Sequence, residues 1–164
     1  MRNPRPLPVA KRRQAEVAAE HFCRALLACT HTRRAIKARF FKVDFFGADV
    51  MGKDGRGLTH YVQVTTGYGG RLSSRRHKLA AIPWAASDRV YLLQLRRAEP
   101  APKSRKAQWE FVVQQWFQIQ RLWQRWTQAI AVPEPWFRTA GLQECLNPNG
   151  SEMNNEERTM NNEQ

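Results

Sequence analysis

Asp49 and Gln63 are the side chains on which chemistry can be built. Asp49 stands in GADVMG, an acidic residue inside an otherwise apolar run, and Gln63 stands in HYVQVTTG. Between them KDGRG carries Asp54-Gly55, a dipeptide suited to a tight hairpin, so the two runs are expected to pair as antiparallel strands. Counted outward from that turn, Asp49 comes about six residues before it and Gln63 about eight after, which makes them neighbours without fixing the register. In an extended chain Tyr61, Gln63 and Thr65 share one face, and Val62, Val64 and Thr66 the other. The valines belong in a core, so Gln63 and Thr65 face either water or, together, something polar. A carboxylate and a carboxamide oxygen on adjacent strands are two hard donors. They suit Mg²⁺, which takes one or two protein ligands and completes its octahedron with water and substrate phosphate.

Two further groups invite chemistry. Arg71, Arg75 and Lys78 stand at helical spacing as one basic stripe, beside an apolar face of Leu72, Leu79 and Ile82. The stripe begins at a glycine-rich turn, TTGYGGR, whose backbone amides can approach a phosphate. That turn lacks the Gly-Lys-Ser/Thr ending of a P-loop and is not read as a nucleotide site. His21, Cys23, Cys29 and His31 also lie close in sequence. On a helix positions 23 and 29 point apart, so the cysteines are expected to pack and no zinc is expected.

The elements that must position these residues follow from periodicity and breakers. Residues 1–8 are Pro-rich and expected to be irregular. Val9 to about Thr30 reads as a helix, with Ala18, Phe22, Leu26 and Cys29 as its apolar stripe. HTRRAIKAR reads as a basic connection. FFKVDFFGADVMG reads as a strand bent or broken at Gly47, and Leu58–Thr66 as the next strand. Arg71–Ile82 reads as a helix ended near Pro83, and RVYLLQL as a strand covered on both faces. Residues 98–107 read as a linker. In 108–146 the alternation of Trp109, Phe111 and Val113 is strand-like, whereas Trp116, Ile119, Trp123 and Trp126 recur at helical steps. A short strand followed by a helix to about Val132 is the expectation, packed on the core as a C-terminal extension. Residues 147–164, rich in Asn and Glu, are expected to be disordered. Helix, three strands, helix, strand is the order of an α/β fold.

The chain has 164 residues, and its 27 Lys and Arg against 14 Asp and Glu give +13. From Glu144 onward there are five acidic residues and one basic, so the first 143 residues hold 26 basic against 9 acidic, a net +17. Such a field favours phosphate-rich partners and salt-dependent binding. No run approaches the roughly 18 apolar residues of a membrane span, and MRNPRPLPVAKRRQ has no apolar h-region, so neither a span nor a signal peptide is expected. Three irregularly spaced cysteines fit a reducing cytoplasm.

With these residues in view, 9–97, and most closely Phe40 to Arg97, resembles the PD-(D/E)XK nuclease superfamily, in particular its small phage-type and Holliday-junction-resolvase-like members. The resemblance implies a restriction-endonuclease-like αβββαβ core, a mixed sheet flanked by helices. Asp49 matches the acidic residue of the second strand and Gln63 the first position of the third-strand motif. Where that motif places Lys, this chain has Thr65, a Q-x-T variant. The resemblance implies that Lys78, or Arg75, supplies the displaced cation from the following helix. It also implies a metal-facing Glu on the first helix, Glu20, with Glu16 as the alternative.

The expected activity is therefore hydrolysis of DNA phosphodiesters by an endonuclease using Mg²⁺ or Mn²⁺, held by Asp49, Gln63 and Glu20, with Lys78 as the fourth catalytic residue. Arg12, Arg13, Arg71, Arg75 and Arg76 would grip the backbone. Junctions or flaps are the substrates the resolvase likeness implies, with RNA as the alternative nucleic acid. The dimers in which resolvases act extend the expectation to a homodimer. Two alternatives stand beside it: a nuclease-like nucleic-acid binder that no longer cuts, and a basic adaptor docking a protein partner through Trp116, Phe117, Trp123 and Trp126.

Overall fold

The computed structural model describes residues 9–35, 47–67, 69–98 and 108–138. The expectations for 1–8, for the aromatic run 40–46, for the linker interior and for the tail 147–164 lie outside the described residues. What is described is an α/β fold. Helix α1 (Val9–Leu26) leads into strands β1 (Cys29–Arg34), β2 (Val50–Asp54) and β3 (Thr59–Thr65); helix α2 (Gly70–Ala80) and strand β4 (Arg89–Arg97) follow. Three more strands, β5 (Trp109–Phe117), β6 (Leu122–Arg125) and β7 (Ile130–Val132), precede a 3-10 turn at Glu134–Phe137.

All seven strands form one sheet in the order β1-β2-β3-β4-β5-β6, with β7 also on β5. Every pairing is antiparallel except β3 with β4, which is parallel and joined through α2. A parallel pair needs such a crossover, and α2 supplies it.

The two helices cover opposite faces. Ala15, Ala18, Ala19, Phe22 and Cys23 line the inner side of α1 at helical spacing and pack on Val50, Val62, Val64, Leu93, Phe111 and Val113. Alanine at three of those positions lets the helix axis come close to the sheet. On the other face Leu79 of α2 packs with Trp84, Val90 and Leu92, joined by Tyr61, Leu72, Trp116 and Trp123. The near-continuous apolar run of β4 is buried on both sides, as the sequence predicts.

Two expectations are overturned. The first helix stops at Leu26 rather than near Thr30, because Ala28 takes a left-handed φ of 53° and reverses the chain into β1. Leu26 is consequently exposed, Cys29 opens a strand, and the basic connection HTRR is strand β1. The helix expected to run to Val132 is instead the hairpin β5–β6 followed by β7. Trp116 and Trp123, whose spacing reads as two helical turns, are direct cross-strand partners around a short turn, with ring centroids 5.5 Å apart. Pairing across a tight turn produces the same spacing as helical stacking, so periodicity alone does not separate them.

Candidate functional site

β2 and β3 bring Asp49 and Gln63 together. The ladder pairs Val50 with Val62, and the Asp49 N–H donates to the Val62 carbonyl at 2.9 Å. Just beyond that point the Asp49 carboxylate takes the place of a strand carbonyl. Its Oδ2 accepts the Val64 N–H at 2.9 Å and the Gln63 Nε2 amide at 2.6 Å. A backbone and a side-chain donor thus both hold the carboxylate. Gln63 itself is buried on the α2 face, and its Nε2 also reaches the Val64 carbonyl at 3.3 Å.

Thr65, the next residue on that face, is buried too, and its Oγ1 accepts the Gly67 N–H at 3.0 Å. The Gly67 carbonyl in turn accepts the Gln94 Nε2 of β4 at 3.2 Å. Gly67 sits tightly: a β-carbon there would stand 3.0 Å from the Arg71 Cβ and 3.2 Å from Thr65 Oγ1. The turn before α2 is therefore latched to β3 and β4 by Thr65 and Gln94. Neither Gln94 nor Gln114, which with Gln63 are the buried glutamines on this face among the described residues, stands out in the sequence. The only signal is a polar residue inside RVYLLQL and another inside FVVQQW.

Arg71, Arg75 and Lys78 are exposed on α2 as a stripe, as expected. Arg76 lies on the other flank, half-buried, and its Nη1 reaches Gln114 Oε1 of β5 at 3.5 Å. Arg71, Arg75 and Lys78 therefore lie on the opposite flank of the helix from Arg76. Gly47, two residues before Asp49, lies against Leu79, the neighbour of Lys78.

Glu20 is not brought into this arrangement. It is buried on α1, on the far face of the sheet from the Gln63 side chain, and it forms an ion pair with Arg34 of β1. Burial raises its carboxyl above the ordinary range, and the Arg34 and Arg24 guanidiniums only partly offset that. Glu16, the alternative, is half-buried on the same helix. Arg12 and Arg13 are exposed on α1, so the sheet separates them from the α2 cations. Among the described residues no three His, Cys, Asp or Glu side chains come together as a metal-holding group. Of the three residues expected to hold a metal, the structure brings together Asp49 and Gln63, with the Gln63 amide nitrogen toward the carboxylate.

On the α1 face Cys23 and Cys29 do not point apart, because the reversal at Ala28 brings them into a thiol–thiol hydrogen bond. That bond and burial push Cys23 well above the usual thiol range, while accepting character lowers Cys29. A β-carbon on Gly52 would stand 2.6 Å from Cys29 Sγ, so the glycine makes the room for this thiol. Beside it His60 Nε2 meets Asp54 Oδ2 at 2.8 Å, and that contact holds the Asp54 carboxyl below its ordinary value. A separate cleft of about 950 Å³, lined among others by Leu95, Trp109, Val132 and Phe137, opens beside β7. It contains none of the residues expected to do chemistry.

The six tryptophans divide between the two cores and their margins. Trp109, Trp126 and Trp136 pack on the α1 side, and Trp84, Trp116 and Trp123 on the α2 side. Compared with protein-family models, with curated proteins and with solved structures, the chain matches none. No helix among the described residues is long and apolar enough to cross a membrane.

Proposed function

We propose that the chain is a metal-dependent nuclease acting on DNA phosphodiesters, on the PD-(D/E)XK plan. The observation that carries this reading is the direct contact of Asp49 with Gln63 at the point where β2 parts from β3. The order helix, three strands, helix, strand, with β3 and β4 parallel, supports it further.

The residues present fit a hard divalent cation. Rotation of the Gln63 carboxamide about its last bond exchanges Nε2 for Oε1, which lets the pair offer two oxygens in place of one hydrogen bond. Asp49 and Gln63 would hold Mg²⁺ or Mn²⁺, and water and phosphate oxygens would fill the remaining positions. When bound, such an ion supplies Lewis-acid neutralisation of phosphate charge and a water of lowered pKa. The chain's own part is positional and electrostatic. The Val64 N–H holds the Asp49 carboxylate in one orientation. Arg71 and Arg75 attract and seat the phosphate backbone, and Lys78 provides the positive charge that Thr65 cannot. Glu20, paired with Arg34, has no role in this scheme.

A second reading, a nucleic-acid binder that does not cut, is favoured by Thr65. Its hydroxyl latches Gly67, so the position next to the Asp49–Gln63 pair serves the turn rather than catalysis. One experiment separates the two. Labelled four-way junction, flap, linear duplex and single-stranded DNA are incubated with Mg²⁺, Mn²⁺ or EDTA, using the wild type and Asp49→Asn. Metal-dependent cutting lost in the variant establishes the nuclease, and the preferred substrate names its class. Salt-sensitive binding without cutting establishes the binder. Neither binding nor cutting discards both.

A further inference from the structure

The β5–β6 hairpin combines three features that packing does not explain. First, among the described residues the exposed large hydrophobics are Leu26, Ile119 and Leu122, and two of these three lie in this one hairpin. Ile119, at 91% exposure, stands at the very tip. Second, Arg121 takes a left-handed φ of 51°, a conformation that glycine or asparagine adopts at much lower cost. Arginine held in that conformation at an exposed turn raises the question of what its side chain does there. Third, the segment from Phe117 to Trp126 contains Arg121 and Arg125 and no acidic residue.

The tip is mounted on a firm base. Gln118 Nε2 donates to the Trp84 carbonyl, Trp123 Nε1 donates to the Arg76 carbonyl at 3.3 Å, and Trp116 packs against Trp123. Arg125 is the cross-strand partner of Gln114, the residue that Arg76 also reaches. The hairpin therefore continues the basic character of α2 toward the far end of β5. From strand spacing and rise, its tip stands on the order of 20 Å from Gln63, within the span of a bound duplex.

We infer that this hairpin is a duplex-DNA contact, Arg121 and Arg125 seating on phosphates while Ile119 presses into the groove between them. The inference rests on the nucleic-acid reading above but not on cleavage. Charge decides the occupant. A second copy of this hairpin would bring arginines against arginines, on a chain that already carries +13, whereas phosphate complements them and an apolar tip can wedge at a base step.

The test uses the full chain and a short fluorescent DNA duplex titrated at several salt concentrations. Arg121→Gly should weaken binding and reduce the slope of log K against log salt by about one. The same change should raise Tm by a few degrees through relief of the strained φ, so that binding and stability move in opposite directions. Ile119→Ser should weaken binding by roughly tenfold with the slope unchanged, because the contact it removes is apolar. Circular dichroism would verify that both variants fold. Variants that bind like the wild type, with the same slope, overturn the hairpin contact while leaving the nucleic-acid reading intact. A wild type that binds no duplex at any salt overturns both. Sedimentation in which Ile119→Ser dissolves a dimer, with duplex affinity unchanged, overturns the inference in favour of a contact between copies.

Discussion

The Asp49 carboxylate accepts the Gln63 amide at 2.6 Å and the Val64 N–H at 2.9 Å, so one oxygen serves both as a strand-end acceptor and as half of a candidate cation site. These two duties can be separated by mutation. Asp49→Asn keeps an oxygen for the Val64 N–H, and Gln63 can turn its carbonyl toward the new amide. Asp49→Ala leaves the Val64 N–H without this acceptor and should cost about 1–3 kcal/mol in urea denaturation. Asn should cost much less. If the site cuts DNA, both variants lose cleavage although only one loses stability. Cleavage that survives in Asp49→Asn would place the chemistry elsewhere.

Thr65 and Gly67 are predicted to act as one latch. Thr65→Val removes the acceptor of the Gly67 N–H while preserving shape, at an expected cost of about 1 kcal/mol. Gly67→Ala introduces a β-carbon against the Arg71 Cβ and Thr65 Oγ1, so the start of α2 must shift. Overpacking of this kind costs about 1–3 kcal/mol. Because Arg71 opens the basic stripe, Gly67→Ala should also weaken DNA binding, whereas Thr65→Val should leave it nearly unchanged. Equal effects on binding would show that the Thr65 bond, and not only the packing at Gly67, sets the position of Arg71.

The Asp49–Gln63 pair is legible in the sequence because a hairpin signal and period-two alternation are both local, and both residues follow from them. The helix–turn–strand run through α2 and β4 is legible for the same reason. Strand β1 is not: CTHTRR carries no apolar alternation, since it is an edge strand whose cations face solvent or reach back to α1. Arg34 pairs with Glu20, and Arg24 donates to Thr32 Oγ1. That long-range pairing removes Glu20 from the candidate site, and no spacing rule announces it. The β5–β6 hairpin escapes a pattern reading because its turn contains neither glycine nor proline, only Arg121 bearing a conformation glycine usually takes. Gln94 and Gln114 are hidden inside apolar runs, where a single polar residue changes the pattern too little to be noticed.

Gly52 and Cys29 should be energetically coupled. The Cys29 thiol occupies the notch over Gly52, and an added β-carbon would meet Sγ at 2.6 Å and the Cys29 Cβ at 3.0 Å. Gly52→Ala alone should therefore destabilise by about 1–3 kcal/mol or slightly more. Cys29→Ala takes away the sulfur but not the Cβ, so the double variant should recover part of the loss. An interaction of about 1 kcal/mol in a double-mutant cycle is expected. Strict additivity would mean that the strand moves to accept the methyl group and that the notch is not needed.

Tyr91 predicts a stability change at high pH. Its phenol lies among Cys23, Cys29 and the His60 ring, which stacks on it at 5.8 Å, and burial pushes its pKa to about 12. A folded-state pKa above the unfolded value near 10 means that the native protein holds the phenolic proton more tightly. The resulting stability is fully present below about pH 10 and is lost as pH rises toward 12. Holding the proton that much more tightly corresponds to about 2–3 kcal/mol across that window. Tyr91→Phe retains the ring contacts and removes the proton. Urea melts of the two proteins should therefore diverge little at neutral pH, and the wild type should fall away more steeply than the variant between about pH 10 and 12. Parallel curves across that window would show that the phenol is not released by unfolding, and that the alkaline loss belongs to other groups.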